Sequence, residues 1–454
     1  MSTQVWHDRA VDRLREQLAA LPEGAPIRLA KPTSNLFRFR EPPTGQALDV
    51  SAFGDVLYVD PLTRTADVGG MTTYERLVDA TLPYGLMPLV VPQLKTITLG
   101  GAVAGLGIES SSFRNGMPHE SVQEMEILTG AGDVVLARPD NEHRDLFHGF
   151  PNSYGTLGYT LRLRIELEPV QPTVALRHVR FADTAACAVA IERICAERSY
   201  EGRTVDFIDG TVFSGDELYL TLGAFAGGAS GLSDYTGRDI YYKSIRERAT
   251  DRLSTRDYLW RWDTDWFWCS KALGAQHPVI RRLWPKRYLR SDVYRKLVAL
   301  DRRHRLSDRI GRLRNDPARE AVIQDVEIPV DRLAEFMDFF HADIGISPVW
   351  LCPVRLRTDT TWPLYPMDPA TLYVNVGFWA TVALDPDEPD GTHNRLIERK
   401  VAELGGHKSL YSTSYFGEDE FWALYNGTRY RTLKDAYDPR GRLPDLYDKC
   451  VRNR

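Results

Sequence analysis

Residues 98–112 read TLGGAVAGLGIESSS. Gly100, Gly101, Gly105 and Gly107 put four glycines into eight positions, no charge occurs before Glu109, and three serines close the run. Glycine permits positive φ and lets a ligand approach the main chain closely. A row of unshielded N–H groups makes a concave donor surface suited to a phosphate or diphosphate. The competing reading is a tight, buried turn of a β-rich core. The flanking sequence has to decide.

Upstream, TTYERLVDATLPYG (72–85) reads as a helix with Thr72 or Thr73 as N-cap and Gly85 after its end. DVLYVDPLTRTADVGG and GLMPLVVPQ on either side are short β-rich runs. Downstream, VQEMEILTGAGDVVLARP (122–139) reads as a hairpin turning at Gly130–Asp133. GTLGYTLRLRIELEPV (155–170) opens on a glycine pair and becomes a strand with Leu161, Leu163, Ile165 and Leu167 on one face. From about residue 171 the style changes. Further strands alternate with a helix over 183–199 and with DRLAEFMDFFHAD (331–343), whose Leu333, Phe336, Met337 and Phe340 form one stripe. The expected class is α+β.

The chain has 454 residues, a net charge of −5 and a pI near 6.1. It is too long for one simple core, and no basic excess points to nucleic acid. Cys187, Cys195, Cys269, Cys352 and Cys450 are odd in number and never spaced CxxC, which fits reduced thiols and argues against a zinc site; no metal is expected. Charges interrupt the first twenty residues every few positions, so they read as a helix rather than a signal peptide or membrane span. Only ten of the 57 Lys and Arg residues are lysine, a bias that suggests a bacterial, GC-rich genome. GxxxxGK[ST], GxSxG and HExxH are absent. GAFAGGASG (223–231) follows a strand but leads into no helix, so it reads as a loop rather than a nicotinamide fingerprint.

Two stretches allow a membrane reading. YLWRWDTDWFW (258–268) is either a packed aromatic cluster or an amphipathic surface for lipid. Residues 281–305 carry ten Lys and Arg opposed only by Asp292 and Asp301, either a solvated helical face or a surface drawn to anionic headgroups.

With the glycine run between a strand–helix–strand unit and a hairpin, followed by DLF (145–147) and GTLG (155–158), the order resembles the FAD-binding (PCMH-type) fold of the vanillyl-alcohol-oxidase class. TLGGAVAGLGIESSS with SPVWLCP (347–353), LYVNVGF (372–378), LYSTSY (410–415), EFWALYNG (420–427) and LPDLYDK (443–449) is similar to the Δ24-sterol reductase family, which includes bacterial methylene-fatty-acyl reductases. The resemblance implies an FAD-binding domain over 1–170, a substrate or cap domain with an antiparallel sheet over 171–400, and a segment 401–454 returning toward the flavin. It implies that Thr98, Leu99, Gly100, Gly101, Ala102, Gly105, Gly107, Ile108, Glu109, Ser110 and Ser111 line FAD, with Lys31, Pro32, Thr33 and Ser34 as the first phosphate loop and Gly155, Thr156 and Gly158 also at the cofactor. That first loop lacks histidine, and no cysteine lies near the glycine run, so FAD is expected to be noncovalent.

The implied activity is NADPH-driven reduction of an isolated C=C bond in a lipid: a methylene-branched acyl chain first, a Δ24-sterol side chain as the alternative. An alcohol oxidase or dehydrogenase of the same fold, and a flavin-bearing partner of a lipid methyltransferase, remain open. Such an alkene has no carbonyl to activate it, so a proton must come before or with hydride. Glu109, His407, Tyr411 and Tyr415 are the candidate acids. Animal and plant members of the family carry an N-terminal membrane anchor; this chain is expected to lack one and to be cytoplasmic, touching the membrane peripherally through 258–305 with its tryptophans at the interface.

Overall fold

The computed structural model describes residues 3–31, 37–38, 46–228, 230–304 and 317–452. Two antiparallel sheets organise the chain. The first runs in the order Val56–Asp60, Thr65–Gly69, Tyr159–Pro169, Val122–Leu128, Val134–Ala137, and Leu86–Pro88 also pairs with Tyr159–Pro169. The period-2 face of that central strand is buried: Leu161, Leu163, Ile165 and Leu167 all lie in the core. Thr73 caps the helix Tyr74–Thr81, and Gly85 ends its 3-10 extension at φ +69°, the left-handed position where glycine costs least.

The second sheet has eight strands in the order Thr250–Ser254, Thr173–Phe181, Glu217–Ala226, Phe207–Ser214, Val349–Val354, Tyr373–Ala383, Arg319–Pro329, His407–Lys408. Its two faces have different neighbours. On one, Val322, Val326, Leu351, Val374 and Val376 pack with the apolar stripes of Thr184–Glu197, Leu333–Asp343 and Thr392–Glu403. On the other, Trp350, Cys352 and Tyr373 share one continuous core with Val68, Leu163 and Ile165 of the first sheet. The two sheets are thus joined by apolar burial, and polar groups on that inner face are shut off from water.

The sequence's aromatic run closes this junction. Tyr258, Trp260, Trp262, Trp266, Phe267 and Trp268 are all buried. Trp262 stacks on Phe267 at 4.9 Å, and Phe267 on Trp379 at 4.3 Å. The expectation that these tryptophans sit at a membrane surface is therefore corrected: stacking against the sheet removes more apolar area from water than an exposed ridge could. Arg281, the first residue of the basic run, is also buried, in a bidentate pair with Asp265.

The C-terminal stretch laces back across both sheets. Phe37 N–H donates to the Tyr411 carbonyl, Ile27 N–H to Arg442, and Lys434 and Lys449 donate from their ammonium groups to the carbonyls of Thr156 and Tyr154. Among the described residues no helix is long and apolar enough to cross a membrane, and no cluster of three or more His, Cys, Asp or Glu could hold a metal ion.

Candidate active site between the two sheets

The glycine run is half helix. Thr98 caps Leu99–Gly105 by accepting from Gly101 N–H at 3.2 Å. Leu99 N–H donates to the Thr72 carbonyl, Gly100 to Gly70, and Ala102 to Thr98. The expected row of unshielded amides is thus corrected: the first amides of the helix are engaged inside the protein. Most of its glycines answer to packing. A Cβ on Gly100 would stand 2.1 Å from Thr160 Oγ1 and 2.7 Å from the Gly70 carbonyl oxygen, one on Gly105 3.0 Å from the Tyr154 ring, and one on Gly107 between Pro92 and Pro118. Gly101 differs. It is the one exposed residue between Thr98 and Ser112, and a Cβ there would stand 2.8 Å from Thr98 Oγ1, the helix's own cap, and near no other atom.

The serines brace the turn that follows. Ser110 Oγ bonds the Tyr258 hydroxyl, Ser111 Oγ donates to the Leu89 carbonyl, and Ser112 Oγ accepts from Glu109 N–H. Ile108 is buried, its carbonyl taking a hydrogen bond from Gln93. Just beyond the helix Leu106 sits at φ +66°, and Asn152, Tyr154, Gly155 and Gly158 are also left-handed. Tyr154 N–H donates to the Ala104 carbonyl, so these strained positions border one another, as they commonly do where a ligand is held. Thr156 is buried and donates to the Ser153 carbonyl. Lys31 is exposed at the end of the strand Leu29–Ala30. Pro32, Thr33 and Ser34 lie outside the described residues.

Could these residues hold a flavin dinucleotide? Two observations say that they fit. Gly101 opens the N-terminal end of a helix, where partial positive charge favours a phosphate. Arg38, which the sequence reading passed over, is buried with its guanidinium 4.8 Å above the Tyr154 ring. One of its nitrogens donates to the Lys449 carbonyl, while Nε and the other make no hydrogen bond to the described residues. A buried cation with free donors suits an anionic group.

Glu109 is not a free acid. Its Oε1 accepts from Arg261 at 2.8 Å, and the same guanidinium nitrogen donates to Asp209 Oδ2 at 2.9 Å. Asp209 Oδ2 also accepts from the indoles of Trp262 and Trp350, and the guanidinium lies 4.0 Å over the Tyr258 ring. Burial pushes the Glu109 carboxyl upward, with Arg261 opposing. The geometry makes it a clamp between the glycine run and the second sheet, so its role as proton source gives way to an ion-pair role.

The other candidate acids come together on the inner face of the second sheet. His407 stands opposite Glu327 in the ladder, and burial holds its imidazole down at about 4. Tyr411 receives a hydrogen bond from Trp379 Nε1 at 2.9 Å and bonds Asp325. Tyr415 lies further out, lining a cavity of about 390 Å³ with Phe37, Ala321, Ile323, Arg395 and Ser414. Asp325, Glu327 and Tyr365 were missed from sequence. In VIQDVEIPV the two acids alternate with valines and read as the wet face of a strand, when both faces are covered.

Replacing Arg261 by Met would strand Glu109 and Asp209 without their shared cation. Loss of one partner from a buried pair costs about 3–5 kcal/mol, so R261M is expected to unfold at markedly lower denaturant concentration, and an unchanged midpoint would contradict the clamp.

Comparison with known proteins agrees with this geometry. A family model described as FAD binding domain matches residues 14–138. The chain is 26% identical to the Δ24-sterol reductase of Arabidopsis thaliana over 439 residues, covering 90% of this chain and 77% of that protein. It is 26% identical to the human Δ24-sterol reductase over 429 residues, covering 89% and 76%. Cytokinin dehydrogenase 9 of Oryza sativa subsp. japonica is 32% identical over 146 residues, 32% of this chain and 27% of that protein. The chain is thus an FAD-dependent oxidoreductase that is similar over most of its length to Δ24-sterol reductases.

Proposed function

We propose that this protein reduces an isolated C=C bond in a lipid with electrons from NADPH, holding FAD without a covalent bond. The reading rests chiefly on one observation: the glycine-bearing helix and the sheet that carries Asp325 and Glu327 share one continuous core closed by aromatic packing. The bound, reduced cofactor supplies hydride. The protein's own share is to exclude water and to deliver a proton, because positive charge builds at the more substituted carbon and no carbonyl relieves it. Gly101 and Arg38 are the proposed diphosphate contacts, with Lys31–Ser34 flanking them and Ser110 and Gly155–Gly158 bordering the ring.

A methylene-branched acyl chain is the first substrate reading, supported by the arginine-rich composition. A sterol side chain is the second, supported by the names of the relatives. Both give tertiary character at the carbon that receives hydride.

A lipid also needs an entrance. Of the basic run, the exposed part is apolar as well as charged: Val279, Ile280, Leu283, Tyr288, Leu297 and Leu300 all face out, Leu283 at 77% exposure. Arg282, Arg287 and Lys296 are exposed among them. Basic groups near an anionic leaflet contribute about 1 kcal/mol each, and the apolar side chains add burial. This surface replaces the tryptophan cluster as the proposed membrane contact; Arg305 lies outside the described residues.

Three measurements test these proposals. Gly101→Val should lose FAD with a smaller fall in unfolding midpoint than Gly100→Ala, because its Cβ displaces only the Thr98 hydroxyl whereas one on Gly100 also meets the Gly70 backbone; full flavin occupancy in G101V would remove the diphosphate assignment. Anaerobic NADPH should bleach the flavin, and a lipid alkene should restore the colour with a product heavier by H2. Bleaching by an alcohol instead would favour the oxidase reading, and no recovery with any alkene would refute the reductase. Wild type should sediment with anionic vesicles at low salt, and Ile280→Ser with Leu283→Ser should sediment less; equal sedimentation would refute the surface.

A further inference from the structure

The strand Arg319–Pro329 sorts its side chains into two files. Val322, Val326 and Ile328 enter the helix-covered core. Ala321, Ile323, Asp325 and Glu327 follow one another on the opposite face. Ala321 and Ile323 line the cavity, so the file leads from the cavity inward to two carboxyls. Neither carboxyl meets a lysine or arginine among the described residues. Tyr365 donates its hydroxyl to Glu327 Oε2, and Ser409 Oγ lies 3.3 Å from Oε1. Asn375 Nδ2 donates to Asp325 at 3.1 Å, and Tyr411 bonds the same carboxyl. Two acids buried elsewhere have cations: Lys408 for Glu398, Arg281 for Asp265.

A carboxyl buried without a cation holds its proton more tightly than one in water. Burial and the neighbouring Asp325 push Glu327 up to about 8, against the Tyr365 bond, and burial pushes Asp325 up to about 6. His407, opposite in the ladder, stays neutral. Tyr154 and Tyr425, whose hydroxyls feel the Glu327 charge, stay protonated, both raised well above the usual phenol value. Near neutrality Glu327 therefore holds a proton while Asp325 has mostly lost its own. Two acids with separated affinities divide into donor and acceptor roles.

We propose that Glu327 is the proton donor of the alkene reduction, with Tyr365 as the residue that positions its carboxyl. The inference rests on the function proposed above. The alkene π pair takes the Glu327 proton to form one C–H bond, and a hydride from the reduced flavin forms the other. Glu327 is left as carboxylate and is reprotonated from water after product leaves.

The test uses the FAD-loaded protein, with a methylene-branched acyl lipid and a Δ24-sterol as probes. Glu327→Gln keeps the shape and the Tyr365 contact but has no acidic proton. It should bind FAD and bleach with NADPH as wild type does, while reoxidation by the lipid slows by about 10²-fold or more. The infrared band of a protonated carboxyl, titrating near pH 8 in wild type, should be missing from E327Q. The acid form is the active one, so wild-type reoxidation should fall as pH rises through about 8. Tyr365→Phe removes a bond that favours the carboxylate, so its midpoint should move higher. Wild-type reoxidation in E327Q, or a carboxyl band that persists there, overturns this assignment alone. A wild type that no lipid alkene reoxidises overturns the functional reading and this assignment together.

Discussion

One guanidinium holds the two halves of the molecule in register. Arg261 reaches Glu109 in the glycine-rich segment and Asp209 in the eight-stranded sheet through a single nitrogen, in a site where all three side chains are almost wholly buried. Two carboxylates drawn to one cation leave the cluster acidic, and the indoles of Trp262 and Trp350 disperse that charge by donating to Asp209. An ion pair shut away from water gains little net free energy over an apolar contact, but it is directional. Apolar packing between the sheets supplies the adhesion, and Arg261 fixes the alignment. The strained turn at Leu106 and the serine braces depend on that alignment, and so does the distance from the helix end to the inner face of the second sheet.

The inner face owes its chemistry to that sealing. A sheet exposed to water on one side would carry Asp325, Glu327 and His407 as ordinary ionised or solvated groups. Here Tyr365, Tyr373 and the C-terminal stretch pack against them, and the same exclusion of water that raises Glu327 holds His407 neutral. Protonated acid and neutral imidazole are two results of one burial event. Such a site suits a substrate that is uncharged where it reacts.

Much of the first sheet was legible in the sequence because local rules governed it. Thr73 and Gly85 bounded a helix, and Leu161 to Leu167 alternated cleanly. The glycine run was legible as special but not as to why: Gly100 and Gly107 serve close packing, a cause that depends on Thr160 and Pro118, distant in sequence. Arg38 and Glu327 carried no local signal at all, since an isolated arginine and an acid in an alternating strand look like solvated residues. The tryptophan cluster misled for the same reason. Composition shows that a segment is apolar and charged, and only the fold shows that its aromatic rings turn inward while Ile280 and Leu283 stay out.

The most direct check on the whole arrangement is a crystal structure of the protein with FAD and a non-reducible lipid analogue. The account predicts the diphosphate against Gly101 and Arg38, and the isoalloxazine between the Ser110 turn and the file of Asp325 and Glu327, with the lipid in the adjoining cavity. A diphosphate lying away from both Gly101 and Arg38, or a ring that does not face that file, would contradict it.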